Sequence, residues 1–263
     1  MAKRRNGNGN GNSRRHATQS SVDQAVKSIC DIMRRGNCAG AMQYVPELTW
    51  ILFLRILDEK EHREEQEAEA LGVRFRLSLE TPYRWRDWGS PPETLPVGQT
   101  NKRAQLQNAP QNTLFNFVNM ELLPHLKGLK NRPDATPRQK VISEIMTGVE
   151  RVRIDTERNF LDVLDKVHQL TTEAVDPTHV FTLSQVYEGL LLKMGEKGND
   201  GGQFFTPRQV IKAMVQVINP TVEDTVYDPG CGTGGFLAQS FEHIKGNLGN
   251  DARAEQLETL KQR

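Results

Sequence analysis

Two short stretches carry residue types able to hold a small ligand. One is Gln203-Phe204-Phe205-Thr206-Pro207-Arg208. The other is Asp228-Pro229-Gly230-Cys231-Gly232-Thr233-Gly234-Gly235-Phe236. A glycine cluster allows backbone angles that side chains forbid, and it lets a ligand lie against the main chain. A helix opening behind it presents free amides and a positive dipole end, which suit a carboxylate. Asp228 offers a negative partner for an ammonium. That pair of charges matches a zwitterionic amino-acid group better than a pyrophosphate.

The same residues admit other readings. Gly230, Gly232 and Gly235 formally satisfy G-x-G-x-x-G, a weak signal by itself. Asp228-Pro229 interrupts the usual step from apolar strand into glycine, and no second strand ending in an acid follows at the expected distance. The absence of G-K-[ST] argues against a phosphate-binding P-loop. A glycine-rich turn that binds nothing stays open as an alternative. Cys231 is read as a small residue packed under a ligand rather than as a nucleophile. The cysteines at 30, 38 and 231 show neither metal nor disulfide spacing, which fits a reducing cytoplasm.

The elements around these stretches follow from spacing. Thr206 before Pro207 predicts a helix start, with a capping hydroxyl and then a residue that needs no amide donor. Val210, Ile211, Met214, Val215 and Ile218 continue it at helical spacing. Thr225, Val226 and Tyr227 predict a short buried strand ending at Asp228, and Phe236 to Ile244 predicts the next helix. Strand, glycine loop and helix is how an open α/β sheet builds a ligand crevice.

In this order the paired stretches resemble the two S-adenosylmethionine motifs of amino-group DNA methyltransferases. The nearest likeness is to the modification (M) subunit of type I restriction–modification systems, adenine-N6 DNA methyltransferases. Leu183-Ser184-Gln185-Val186-Tyr187-Glu188-Gly189-Leu190-Leu191, Val45 to Asp58, and Pro82 to Trp88 resemble other parts of that family. The likeness covers about residues 22 to 245, with 203–237 its specific part. It implies that Gln203, Phe204, Phe205, Thr206, Pro207 and Arg208 line the methionine part of the cofactor S-adenosyl-L-methionine. It implies that Gly230, Cys231, Gly232, Thr233 and Gly234 pass beneath that cofactor and that Asp228 faces its amino group. The implied partners are DNA through the assembled complex, a specificity subunit, a second M subunit and a restriction subunit, with no membrane.

The rest of the 263 residues is read mainly as helix. Lys3, Arg4, Arg5, Arg14 and Arg15 lie in a Gly/Asn-rich start, residues 1–21, with nothing apolar to bury, so disorder is expected there. The remaining 29 basic and 33 acidic side chains would not drive the body onto DNA by bulk charge. Val22, Val26, Ile29 and Met33 form one stripe, with a capping box at Ser21 and Gln24 and a stop at Gly36. Pro46 is expected to start an apolar helix around Trp50, and Asp58 to Ala70 to continue it as a solvated end. The alternation from Val73 to Leu79 predicts a short strand or extended edge. Ser90-Pro91-Pro92 resembles a methyltransferase catalytic motif but is followed by Glu93, and is read as a loop. Helical stripes follow at Leu114, Phe115, Val118, Leu122 and Leu126, at Val141, Ile142 and Ile145, and at Leu161, Leu164 and Val167.

The expected fold is an α-helical N-terminal bundle over 22–170. The start of an α/β Rossmann-like S-adenosylmethionine-dependent methyltransferase domain follows over 171–263, incomplete in this chain. The family's N-P-P-[FY] motif does not occur in the sequence. No catalytic residue is assigned, and the chain alone is expected to be inactive. Two alternatives remain. One is an assembly module docking to the specificity subunit, with Trp50, Trp85 and Trp88 as interface candidates against a core-packing reading. The other is a protein-glutamine or small-molecule methyltransferase, disfavoured by the upstream Q-F-F-T-P.

Overall fold

The computed structural model describes residues 24–25, 27–38, 41–94, 100–109, 113–170, 206–232, 234–248 and 256. The chain divides into two units between residues 174 and 175. The expected tail over 1–21, the Ser21 cap and the Leu183–Leu191 helix lie outside the described residues.

In the first unit, α1 covers residues 24–25 and 27–35 and buries Ile29 and Met33 completely. The helix stops ahead of Gly36 as expected, but the left-handed residue is the next one. Asn37 takes the left-handed conformation, φ 59°, which its short polar side chain tolerates. Gly36 serves packing instead. A Cβ there would lie 3.0 Å from Ile154 Cγ2, and Gly36 O accepts the Asp155 N–H at 3.1 Å.

Helix α2, Ala41–Ala70, begins ahead of Pro46 and holds it inside the first turns. So close to the helix start, the proline removes little of the hydrogen-bond ladder. Leu48, Trp50, Ile51 and Leu54 are buried. Trp85 and Trp88 form both ends of α3, Trp85–Trp88, and are buried too. The Trp50 and Trp88 rings stack at 6.3 Å, and Trp85 meets Trp88 edge-on at 5.4 Å. All three tryptophans are core, so none of them presents an interface. Gly89 follows α3 because the Trp85 ring lies where its Cβ would be, 2.6 Å away.

After α4, Lys102–Gln107, one continuous helical run holds three parts: α5, Thr113–Asn116, a π segment, Phe117–Leu122, and α6, Leu123–Gly128. Leu114, Val118, Leu122 and Leu126 are buried. The wider π turn faces Met120 outward, 75% exposed, and turns Asn119 Oδ1 to the Val152 N–H at 2.9 Å. Helix α7, Pro137–Thr147, opens on a capping box between Thr136 and Gln139. Its buried face is Ile142 and Met146, whereas Val141 and Ile145 are exposed. The expected stripe there was therefore rotated by one position. Helix α8, Glu157–His168, is capped by Thr156 and buries Phe160, Val163, Leu164 and Val167. Helix α2 lies against α3 and α8, and α6 against α7.

No strand occurs among the described residues. The segment from Val73 to Leu79 is irregular, with no neighbouring strand among the described residues. Side chains hold it instead. Glu61, 3% exposed in the supposedly solvated end of α2, accepts the Ser78 N–H at 3.2 Å with each carboxylate oxygen. Gln139 donates to Ser78 O at 3.0 Å. Arg138 bridges Glu61 and Glu64. Ser90 to Glu93 is a loop entering a short 3-10 turn, Pro92–Thr94. No helix among the described residues is long and apolar enough to cross a membrane.

The second unit contains α9, Arg208–Ile218, and α10, Gly235–Asn247, packed on each other.

Candidate functional site

Helix α9 starts one residue later than the sequence suggests. Pro207 occupies the N-cap position with φ −54° and ψ 134°, and no side chain caps the helix. Thr206 is exposed outside it. Arg208 is the first helical residue. Its helix buries Ile211 and Val215 against α10, while Val210, Met214 and Ile218 of the expected stripe are exposed. Helix α9 stops at Asn219, left-handed at φ 52°. Asn219 Oδ1 lies 2.8 Å from His243 Nε2, which lies 2.9 Å from Asn247 Nδ2, so this end is tied to α10.

The chain from Thr221 to Asp228 returns to the glycine loop without forming a strand. Asp224 caps the turn, accepting from the Thr221 N–H at 2.8 Å and its hydroxyl at 2.9 Å. These two bonds hold the Asp224 carboxyl below the usual carboxylate range. The buried strand expected at Thr225–Tyr227 is absent, and Tyr227 is 83% exposed. A strand is defined by its neighbours, and no neighbouring strand occurs among the described residues.

The loop itself matches its glycine content. Gly232 and Gly234 sit at φ +51° and +73°, where side chains are strained. Asp228 Oδ1 accepts the Gly230 N–H at 3.1 Å, which shapes the entry. The Gly234 N–H bonds to Cys231 O at 2.7 Å, and Gly234 O takes the first amide of the helix, from Ala238, at 2.9 Å. A Cβ on Gly230 or Gly234 would meet nothing within 4 Å, and on Gly232 only Gly230 O at 3.9 Å. Among the described residues nothing crowds the main chain at these glycines, which leaves it open to close approach by a ligand. Cys231 is exposed, with its Sγ 3.9 Å from Gly232 O.

The structure brings Arg208 and the end of the glycine loop together. Gly235, first residue of α10, is buried, and a Cβ on it would overlap Arg208 Nη1 and lie 2.9 Å from Ile211 Cδ1. Two helix N-termini therefore meet beside the loop. Gln203, Phe204, Phe205 and Thr233 lie outside the described residues. Sequence reasoning used Gly235 only as part of a glycine pattern; its contact with Arg208 has no local signature. No metal-binding group of His, Cys, Asp or Glu occurs among the described residues.

Residues 22–167 match the family model of the HsdM N-terminal domain, and residues 179–259 match that of N-6 DNA methylase. The EcoEI type I restriction enzyme methylase subunit of Escherichia coli is 31% identical over 86% of this chain and 42% of its own length. The EcoKI methylase subunit of E. coli K12 is 30% identical over 82% of this chain and 34% of its own. A solved modification subunit attributed to a type I restriction enzyme of Vibrio vulnificus YJ016 superposes with a TM-score of 0.67. It shares 30% identity over 92% of this chain and 48% of that one. The chain thus spans less than half the length of these relatives. The leading model covers more than half of the 263 residues, and the chain belongs to the family of type I modification (methylase) subunits.

Proposed function

We propose that this chain carries the cofactor side of an S-adenosyl-L-methionine-dependent DNA adenine-N6 methyltransferase, within a type I restriction–modification assembly. The observation that supports it best is the meeting of the two motif segments, Arg208 against Gly235, beside a loop with bare backbone. The residues fit the methionine end of that cofactor. Glycines at φ +51° and +73° leave room for it, the α10 N-terminus suits its carboxylate, and Asp228 suits its ammonium. When bound, the cofactor supplies an electrophilic methyl group. This chain's residues bind and orient it. The second unit is the beginning of a Rossmann-like α/β domain in this reading, with the Thr225–Tyr227 segment as a strand once partners pair with it.

The proposed target is an adenine flipped out of the duplex, which exposes its amino group. The partners are DNA, a specificity subunit, a second M subunit and a restriction subunit, in the cytoplasm. Because N-P-P-[FY] is missing from the sequence, the chain alone does not methylate. The test is incubation with methyl-labelled cofactor and adenine-containing duplex, with and without a specificity subunit. Label on adenine N6 from the chain alone overturns the claim of inactivity. Failure to bind the cofactor favours the pure assembly module.

A further inference from the structure

We infer that Arg208 is a positioning residue, and that Gly235 is glycine in order to seat it. The inference rests on the cofactor reading of the loop proposed above.

Three observations carry it. Gly235 does not need its freedom for backbone reasons, since its φ lies outside the positive region where Gly232 and Gly234 sit. It is nevertheless buried. The space of its missing Cβ is filled by Arg208 Nη1, with Arg208 Cζ at 3.1 Å and Ile211 Cδ1 at 2.9 Å from where that Cβ would stand. The glycine is thus explained by the side chain against it.

The helix dipole does not explain the contact. A guanidinium at the first residue of a helix sits at the positive end of its dipole. Packing explains it: Arg208 opens α9, Gly235 opens α10, and the arginine spans from one start to the other. At the far ends Asn219 and His243 hold the same two helices at 2.8 Å. With both ends tied, the gap between Thr206-Pro207 and the loop over 230–234 is fixed. A Cβ at 235 turns the flexible guanidinium out, because Ile211 is buried and has less room to yield.

The test uses the full chain with R208A, R208K, G235A and the double variant R208A/G235A. Amide hydrogen exchange is read at the first bonded amides of the two helices, Val210 and Ile211 in α9 and Ala238 in α10, and S-adenosyl-L-methionine retention by equilibrium dialysis. Either single alanine is expected to speed exchange at both starts by about tenfold, within the range of coupling between touching residues. The double variant should equal the worse single, and R208K should regain part of the protection by refilling the space. Cofactor retention should fall in the same non-additive pattern. The inference is overturned if the single effects multiply in the double variant. It is also overturned if a change at one helix start leaves the other unaltered. A parent that shows the exchange coupling but retains no cofactor instead removes the proposed function and leaves the positioning contact standing. If G235A does not fold, R208A and R208K still decide the matter.

Discussion

The indole N–H of Trp85 donates to His168 Nδ1 at 3.2 Å, joining α3 to the last turn of α8. The acceptor must be unprotonated, so the proton of the neutral ring sits on Nε2. Burial, then the nearby Arg55 and Arg103, hold His168 below the usual imidazole range. A depressed pKa means the unfolded chain binds the proton more readily. The contribution is therefore present above pH 6.5 and lost as pH falls below it. Acidification through that window should lower the unfolding midpoint and change tryptophan fluorescence. His168→Gln, which keeps an acceptor without titrating, should flatten this part of the profile. An unchanged profile would show that His168 does not set it.

Glu47 produces the opposite slope. It is 2% exposed, accepts the Arg153 N–H at 3.1 Å and the Trp50 Nε1–H at 3.3 Å, and burial raises its pKa from 4.5 to about 6. A raised pKa gives a contribution that is full below 4.5 and lost as pH rises through 6. The span corresponds to about 2 kcal/mol. Denaturant titrations of Glu47→Gln from pH 4 to 7 should lack this term. The same slope in parent and variant would rule Glu47 out as its source.

Glu61→Ala should destabilise the first unit by about 2 kcal/mol. It strands the Ser78 N–H and takes one of two carboxylates from Arg138, whose pairing with Glu64 and Glu61 raises its pKa. The reading is the chemical-denaturation midpoint. A loss under about 0.5 kcal/mol, the usual size of an exposed-surface change, would mean the carboxylate is not holding Ser78.

In the glycine loop, Gly232→Val should remove cofactor binding, since φ +51° is closed to a branched side chain. Cys231→Ala should be nearly silent, because the thiol is exposed. Calorimetric titration with S-adenosyl-L-methionine compares them. Parent-like binding by Gly232→Val would show that the cofactor sits elsewhere. Loss of methyl transfer with intact binding in Cys231→Ala, measured in an assembled complex, would assign the thiol a chemical role.

How legible this molecule was depends on the range of each interaction. Helices α8 and α10 were legible because an apolar stripe is written locally: Leu164 and Val167 are buried as expected, although Leu161 is only half-buried and Phe160 and Val163 complete the buried face. The glycines at positive φ were legible for the same reason. Glu61 was misread as solvated because its burial is decided by Ser78 and by Arg138, 77 residues away. The stripe on α7 was misassigned because Val141 and Ile142 are equally apolar, and only the packing against α6 chooses between them. The Thr225–Tyr227 segment has strand composition, but composition supplies no neighbouring strand.

The outward turn of the π segment also sorts the methionines by chemical vulnerability. Met120 stands 75% exposed, whereas Met33 and Met146 are sealed in the core at 0%. Mild peroxide should therefore convert Met120 to its sulfoxide while those two stay reduced. The added oxygen points into water, so helicity should be unchanged as the mass rises. Met120, with Met214 at 49% exposure in the second unit, offers the surface a sacrificial thioether whose oxidation records oxidant exposure without disturbing the packing beneath.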